Sequence, residues 1–277
     1  VDVFHPLFFI FKTMKKLLII FILIFSIKGF SQDSYFLGKT NYCTPEKAES
    51  KKNFELGIKA LQYPEFYEKA TRILVLATDK DPKYCDAFFL AGYLLRLQDK
   101  HEDAIAYYYV ADSLAQNKAP IFKQNLAIEF MRFGKADEAR KKYEEMVKYF
   151  PTDPEGYYGI ANTSIMLADY DKGLENLKKA EDLYKNTGGM KDDGKYMYGM
   201  LYSLKGSYEE ALPYLEDVYS TYKKDDNYLA LYALSQIKVG KSKNDEKLIK
   251  KAKNTYDKIK DKPIVEDISK KLKEEFS

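Results

Sequence analysis

The sequence predicts an all-α fold: a solenoid of about six helical hairpins closed by a C-terminal capping helix. Three observations carry that expectation. Apolar residues recur in stripes of helical spacing, the stripes come in pairs separated by short glycine or polar breaks, and the paired pattern restarts at 51, 85, 120, 154 and 192, intervals of 34, 35, 34 and 38 residues. The third pair is the clearest. Leu126, Ala127 and Phe130 mark one face, Phe133-Gly134-Lys135 breaks the period, and Ala139, Tyr143 and Met146 mark a second face. Pro151 ends it, because proline cannot continue a helix. The small Ala139 lets the two helices approach while Tyr143 fills the space above. A single hairpin cannot bury its own apolar face, so neighbours must cover it.

The other pairs follow in order. The first carries Phe54, Ile58 and Leu61, then Ala70, Leu74 and Ala77, and stops at Pro82. The second opens at Cys85 with Phe88, Ala91-Gly92 and Leu95, followed by Ala104, Tyr108 and Ala111. The fourth opens at Pro154 with Tyr157, Ile160-Ala161 and Tyr170, then Gly173, Leu177 and Ala180. The fifth has Gly199, Tyr202, Gly206 and Tyr208, then Ala211, Leu215 and Val218. Four extra residues before it, within 186–193, contain Gly188-Gly189 and read as a longer loop. A sixth, looser pair runs from Tyr228 to Val239, is closed by Gly240, takes an insertion at 241–247, and resumes with Ala252, Tyr256 and Ile259 before Pro263. Ile264, Ile268 and Leu272 then line a capping helix within 263–277.

This pattern resembles the tetratricopeptide repeat family, whose unit of about 34 residues follows a W-x2-L-G-x2-Y, A-x3-F, P pattern. Phe88-Ala91-Gly92-Leu95 with Ala104-Tyr108, and Gly199-Tyr202 with Ala211-Leu215, carry the resemblance over an array at 51–262. The tryptophan position holds Phe54, Phe88, Lys123, Tyr157 and Lys195 instead. The resemblance implies that the first helix of each hairpin lines a concave groove that holds a protein or peptide. The groove residues it implies are Phe89, Tyr93, Arg96, Gln124, Ile128, Arg132, Tyr158, Asn162, Met166, Tyr196 and Met200. Aromatic anchors there would supply contact area, and Arg or Asn would fix backbone or carboxylate groups. The same positions also pack between adjacent first helices, so the row reads either as a ligand groove or as core. The clamp with which some members grip a chaperone's acidic tail needs Lys and Asn in the first unit, where this chain has Glu55 and Lys59.

The front of the chain reads as an address. Residues 1–13 look like an over-extended start, and 14–31 have the build of a signal peptide: Met14-Lys15-Lys16, an apolar stretch from Leu17 to Ile27, and the small-residue exit Gly29-Phe30-Ser31. Cleavage is expected between Ser31 and Gln32. An uncleaved anchor is the alternative, although the apolar stretch is shorter than the ~20 residues of a spanning helix. Residues 32–50 form a lead-in to the array. The expected destination is outside the cytoplasm: periplasmic, outer-membrane-associated or secreted. Disulfides persist there, so Cys43 and Cys85 are either paired or two thiols without a role.

Composition narrows the function. With 45 basic and 42 acidic residues the chain is near charge balance, which argues against nucleic acid or an anionic membrane as partner. The Lys-rich run 238–262 is interleaved with acids and reads as a solvated face. Two cysteines and the lone His101 of the array cannot furnish a zinc site, and His101 reads as a solvated turn residue. Gly188-Gly189 lacks the Lys-Ser/Thr of a phosphate loop, and Asp192-Asp193-Gly194 lacks the spaced acids of a calcium loop. The expectation is therefore a non-enzymatic scaffold of the bacterial cell envelope, with no cofactor, no metal and no small-molecule substrate. Its partner is a protein or peptide held in the groove. The second reading is a structural subunit of an envelope assembly that uses its convex face or its ends.

Overall fold

The computed structural model describes residues 35, 36, 38 and 41–277. The expected signal peptide at 14–31, residues 1–13 and the first part of the lead-in lie outside the described residues. The described chain falls into two compact units that meet at Gly156 and Tyr157. The N-terminal unit carries α1 (Ala48–Ala60), α2 (Tyr67–Lys80), α3 (Cys85–Leu97), α4 (His101–Leu114), α5 (Pro120–Arg132) and α6 (Ala136–Tyr149). The unit boundary falls in the first turn of α7 (Pro154–Leu167). The C-terminal unit continues with α8 (Tyr170–Tyr184), α9 (Asp192–Lys205), α10 (Tyr208–Asp217), α11 (Tyr219–Tyr222), α12 (Asp226–Ser242), α13 (Glu246–Tyr256) and α14 (Glu266–Phe276). No strand occurs among the described residues. No helix among them is long and apolar enough to cross a membrane.

Cys85, Pro120, Pro154 and Asp192 each open a helix, and the first hairpin starts slightly earlier, at Ala48. Two of these openings are prolines at N1, where the missing N–H costs no intrahelical bond. Hairpins close by a small-against-large rule. A Cβ on Gly92 would stand 2.9 Å from Tyr108 Cδ1, so only glycine lets α3 lie on that buried ring. Ala104, Ala111, Ala139 and Ala180, all fully buried, give the same clearance on the second helices. Tyr108, Tyr143, Leu177 and Leu215 fill the space between.

The sixth hairpin departs from expectation. Gly240 does not end its helix; α12 runs on to Ser242, and the turn follows at Asn244, whose φ is 51°. Gly240 instead admits α13, since a Cβ there would meet Ile249 Cγ1 at 2.9 Å. Part of the expected insertion is thus helix. The following helix is capped by Asp245, whose carboxylate accepts the Leu248 N–H at 3.0 Å. At the C-terminus, α14 buries Ile268 and Leu272. Glu275 ties it to α12 through Lys238 (2.6 Å) and Lys241 (2.9 Å).

Candidate interaction surface

The groove expectation is only partly met by exposure. Phe89, Gln124, Tyr158, Asn162, Tyr196 and Met200 are all buried, which corrects their reading as partner contacts. The physical reason is packing between neighbouring helices. Phe89 stacks on Phe122 with centroids 4.3 Å apart, Tyr196 lies 4.7 Å from Tyr222, and Gln124 Nε2 donates to Glu155 at 2.8 Å. Tyr93, Arg96, Ile128, Arg132 and Met166 are half-buried and present accessible surface. Four of these five belong to α3 and α5 in the N-terminal unit.

On α3 and α5 they surround a buried acid. Glu129 is fully buried in the last turn of α5. His101 Nδ1 lies 2.9 Å from its Oε2, and Arg132 Nε lies 3.5 Å away, an ion-pair contact rather than a hydrogen bond. Glu129 Oε1 is buried without a hydrogen bond. One turn below, Arg96 donates to Asn125 Oδ1 at 3.1 Å and lies over the Tyr93 ring, 4.4 Å from its centroid. Burial opposes the Arg96 charge, but Tyr108, Tyr93 and Glu129 outweigh it and hold its pKa above the ordinary value. Two guanidinium groups stand beside the one buried carboxylate, and the exposed Asp99 carboxylate lies 3.7 Å from His101 Nε2. The half-buried arginines can offer their remaining N–H groups to an anionic group from outside, with Tyr93 and Ile128 as the apolar flank.

His101 is the clearest correction to the sequence reading. It opens α4 rather than tipping a turn, and its side chain is only 19% exposed because it reaches across to Glu129. The signal was present. Glu129 interrupts an apolar helix three residues before Arg132, and polar residues so placed need buried partners.

The lead-in supplies the second feature of this face. Tyr35 is fully buried. Its ring stands edge-on to Phe89 at 4.8 Å and to Phe122 at 5.9 Å, and its hydroxyl donates to the Asp86 carbonyl at 3.2 Å. Phe36 covers Tyr93 at 4.3 Å. Cys43 and Cys85 are joined by a disulfide with Cα atoms 5.7 Å apart. Beside it the Asp86 carboxylate accepts the N–H groups of Tyr42 (3.1 Å) and Cys43 (2.8 Å). Among the described residues, Cys43, Cys85 and Asp86 place their ligand atoms close enough together for a metal ion, but both sulfurs are spent in the S–S bond.

Burial pushes the Asp86 carboxyl from its usual 3.8 up to about 6, against the pull of the Cys43 and Tyr42 N–H groups. With the folded pKa above the unfolded one, the folded chain holds more protons between those values. The resulting stabilisation is complete below 3.8 and is lost as pH rises through about 6, a difference of roughly 3 kcal/mol. Asp86→Asn is expected to remove that falling component from a plot of Tm against pH. Melts of both proteins across that window check it, and parallel curves would contradict it.

A separate ion network holds α4, α5 and α6 together. Lys123 is 2% exposed and contacts Asp112 at 2.9 Å and Glu145 at 2.6 Å, and Lys142 contacts Asp112 at 2.9 Å and Glu145 at 3.1 Å. Lys123 stands where the resembled family places tryptophan. Lys195, at the same position two hairpins on, pairs with Asp217. Both pairs span 22 residues. An ion pair between first and second helix thus replaces the aromatic wedge in these two hairpins.

No family model matches the sequence, and no curated protein matches it. Solved structures do. The Cut9–Hcn1 hetero-tetramer of the APC/C superposes with a TM-score of 0.59 at 18% identity, over 96% of this chain and 47% of that one. This chain thus spans about half the length of the chain it matches there. PilW, described as a widely conserved type IV pilus biogenesis factor, gives 0.59 at 14% identity, over 83% of this chain and all of PilW. YrrB, described as a TPR protein with an unusual peptide-binding site, gives 0.55 at 16% identity, over 73% of this chain and 97% of YrrB. At such identities the likeness shows the fold.

Proposed function

We propose that this chain, whose fold is the tetratricopeptide α-solenoid, is a non-catalytic scaffold of the bacterial cell envelope that holds a protein or peptide segment against α3 and α5. The observation that carries the reading is the pair of half-buried guanidinium groups, Arg96 and Arg132, beside buried Glu129 and flanked by half-buried Tyr93 and Ile128. An acidic or carboxylate-bearing segment fits that chemistry, and a preformed helical face lowers the ordering cost of binding. The peptide-binding site in YrrB's description and the pilus-biogenesis role in PilW's support the same class of work. The signal-peptide pattern at 14–31 supports the envelope setting.

The test uses the full chain and an envelope extract, with Arg96→Ala/Arg132→Ala beside the unchanged protein. Tyr158 is left alone because it is buried and its loss would disturb packing. Partner recovery, assayed well below the Tm of either protein, is expected to fall by more than tenfold in the double variant while helicity holds, since half-buried arginines are frequent hot spots. Equal recovery would remove the patch from the function.

One observation favours a second reading, an assembly subunit using its outer surface. Leu56, Tyr63, Phe66 and Leu76 are exposed large apolar residues at 41%, 50%, 45% and 56% on the first hairpin. The first three border an open cleft of about 360 Å³. Leu76→Ser with Phe66→Ser would abolish capture under that reading and leave it unchanged under the first.

A further inference from the structure

The lead-in does more than precede the array, because it fills the aromatic half of the same helix face. Phe89 and Tyr93 lie one turn apart on α3, and the chain's own Tyr35 and Phe36 cover them. Tyr35 enters a box walled by Phe54 (6.3 Å), Phe89 (4.8 Å) and Phe122 (5.9 Å), drawn from α1, α3 and α5. The walls meet its ring at steep interplanar angles of 72°, 89° and 86°, the edge-to-face arrangement that aromatic quadrupoles favour. The segment, in which the Gly38 N–H turns back onto the Tyr35 carbonyl at 2.9 Å, is held by three kinds of contact that a peptide can make in general. They are a ring in a pocket, a hydroxyl on a helix carbonyl, and two backbone N–H groups on the Asp86 carboxylate. The fourth contact, the Cys43–Cys85 bond, is covalent and reversible.

We infer that the aromatic box between α1, α3 and α5 is a binding site for a peptide segment led by an aromatic residue, with the segment bearing Tyr35, Phe36 and Tyr42 as its resident ligand, exchangeable once a dithiol reductant opens the Cys43–Cys85 bond. The redox step balances. A thiolate of the reductant attacks one sulfur of the bridge, its second thiol resolves the mixed disulfide, and two electrons and two protons pass to Cys43 and Cys85. While the bond is closed, the resident segment has a high local concentration at its own site and an outside segment competes poorly. When it opens, only non-covalent contacts and a short chain tether retain the segment. The incoming ligand has the same chemistry, an aromatic side chain followed by backbone N–H groups that Asp86 can accept. This site shares Tyr93 with the arginine patch but uses neither guanidinium group.

The probe is a fluorescein-labelled peptide of residues 34–44 with Cys43→Ser, titrated against the full chain and read by fluorescence anisotropy. Binding is expected to be at least tenfold tighter after treatment with dithiothreitol than before it, and a peptide that also carries Tyr35→Ala is expected to lose at least tenfold. A second protein, the full chain with Tyr35→Ala and its disulfide intact, empties the box without reduction and is expected to bind the unchanged peptide better than the parent does. Circular dichroism establishes that each protein remains helical. Equal binding with and without reductant overturns the inference, as does failure of both the reduced chain and the Tyr35→Ala chain to bind. Loss of envelope partners in the arginine variants is scored separately, so either proposal can fail alone.

Discussion

Lys123→Met is expected to destabilise the N-terminal unit by about 3–5 kcal/mol, the usual cost of removing one partner from a buried ion pair. Lys123 is almost wholly enclosed, and Asp112, 6% exposed, receives one lysine on each carboxylate oxygen. Methionine fills the volume of the lysine stem but leaves Asp112 Oδ1 buried without a counter-charge. Lys142 remains on Oδ2, which places the loss nearer the lower figure. Adding Asp112→Leu removes the stranded charge, so the double variant should recover much of the stability, as buried pairs exchanged for apolar residues often do. Urea unfolding of the two single variants and the double variant measures the coupling. A single-variant loss below about 1 kcal/mol, the size typical of solvent-exposed pairs, would contradict the network as described.

Cys43→Ser/Cys85→Ser is expected to cost about 2–4 kcal/mol. The bond closes a sequence separation of 42 residues, enough for the unfolded chain to gain substantial freedom when it is absent. The loss should be local as well as global. Tyr42 and Cys43 donate their N–H groups to Asp86, and Tyr35 is buried only because this segment is held down. Amide hydrogen exchange is therefore expected to accelerate at Tyr42 and at position 43 before it does so in α5 or α6. Uniform acceleration across the unit would show instead that the bridge supports the whole hairpin stack.

The helical stripes, the small residues at hairpin contacts and the proline openings at Pro120 and Pro154 were legible in the sequence because each depends on local spacing. Gly240 was misread for the same reason. A glycine late in a helical stretch looks like a terminator, and only the approach of Ile249 from the next helix shows why it is needed. The interaction face was less legible. Its positions follow from the resemblance, but whether a position faces a partner or a neighbouring helix depends on what the neighbour contributes. Phe89 is buried because Phe122 and Tyr35 both reach it, and Tyr35 comes from a stretch with no repeat signal at all. Lys123 looked like a departure from the pattern. Its partners lie 11 residues before it (123 − 112) and 22 after it (145 − 123), separations set by hairpin geometry rather than by one helix. His101 shows the same limit: its partner Glu129 belongs to the next hairpin.

The central claim is that a partner lies against α3 and α5 at the arginine patch. Site-specific photo-crosslinking tests it most directly. A benzophenone amino acid is placed at Ile128, which borders the patch, and in a second protein at Leu76, on the exposed apolar surface of α2. Both proteins are irradiated with envelope extract, with Arg96→Ala/Arg132→Ala introduced into the first as a control. The account predicts a discrete adduct from position 128 that disappears in the arginine control, and none of the same mass from position 76. An adduct formed from position 76 alone, or one from position 128 indifferent to both arginines, would contradict it.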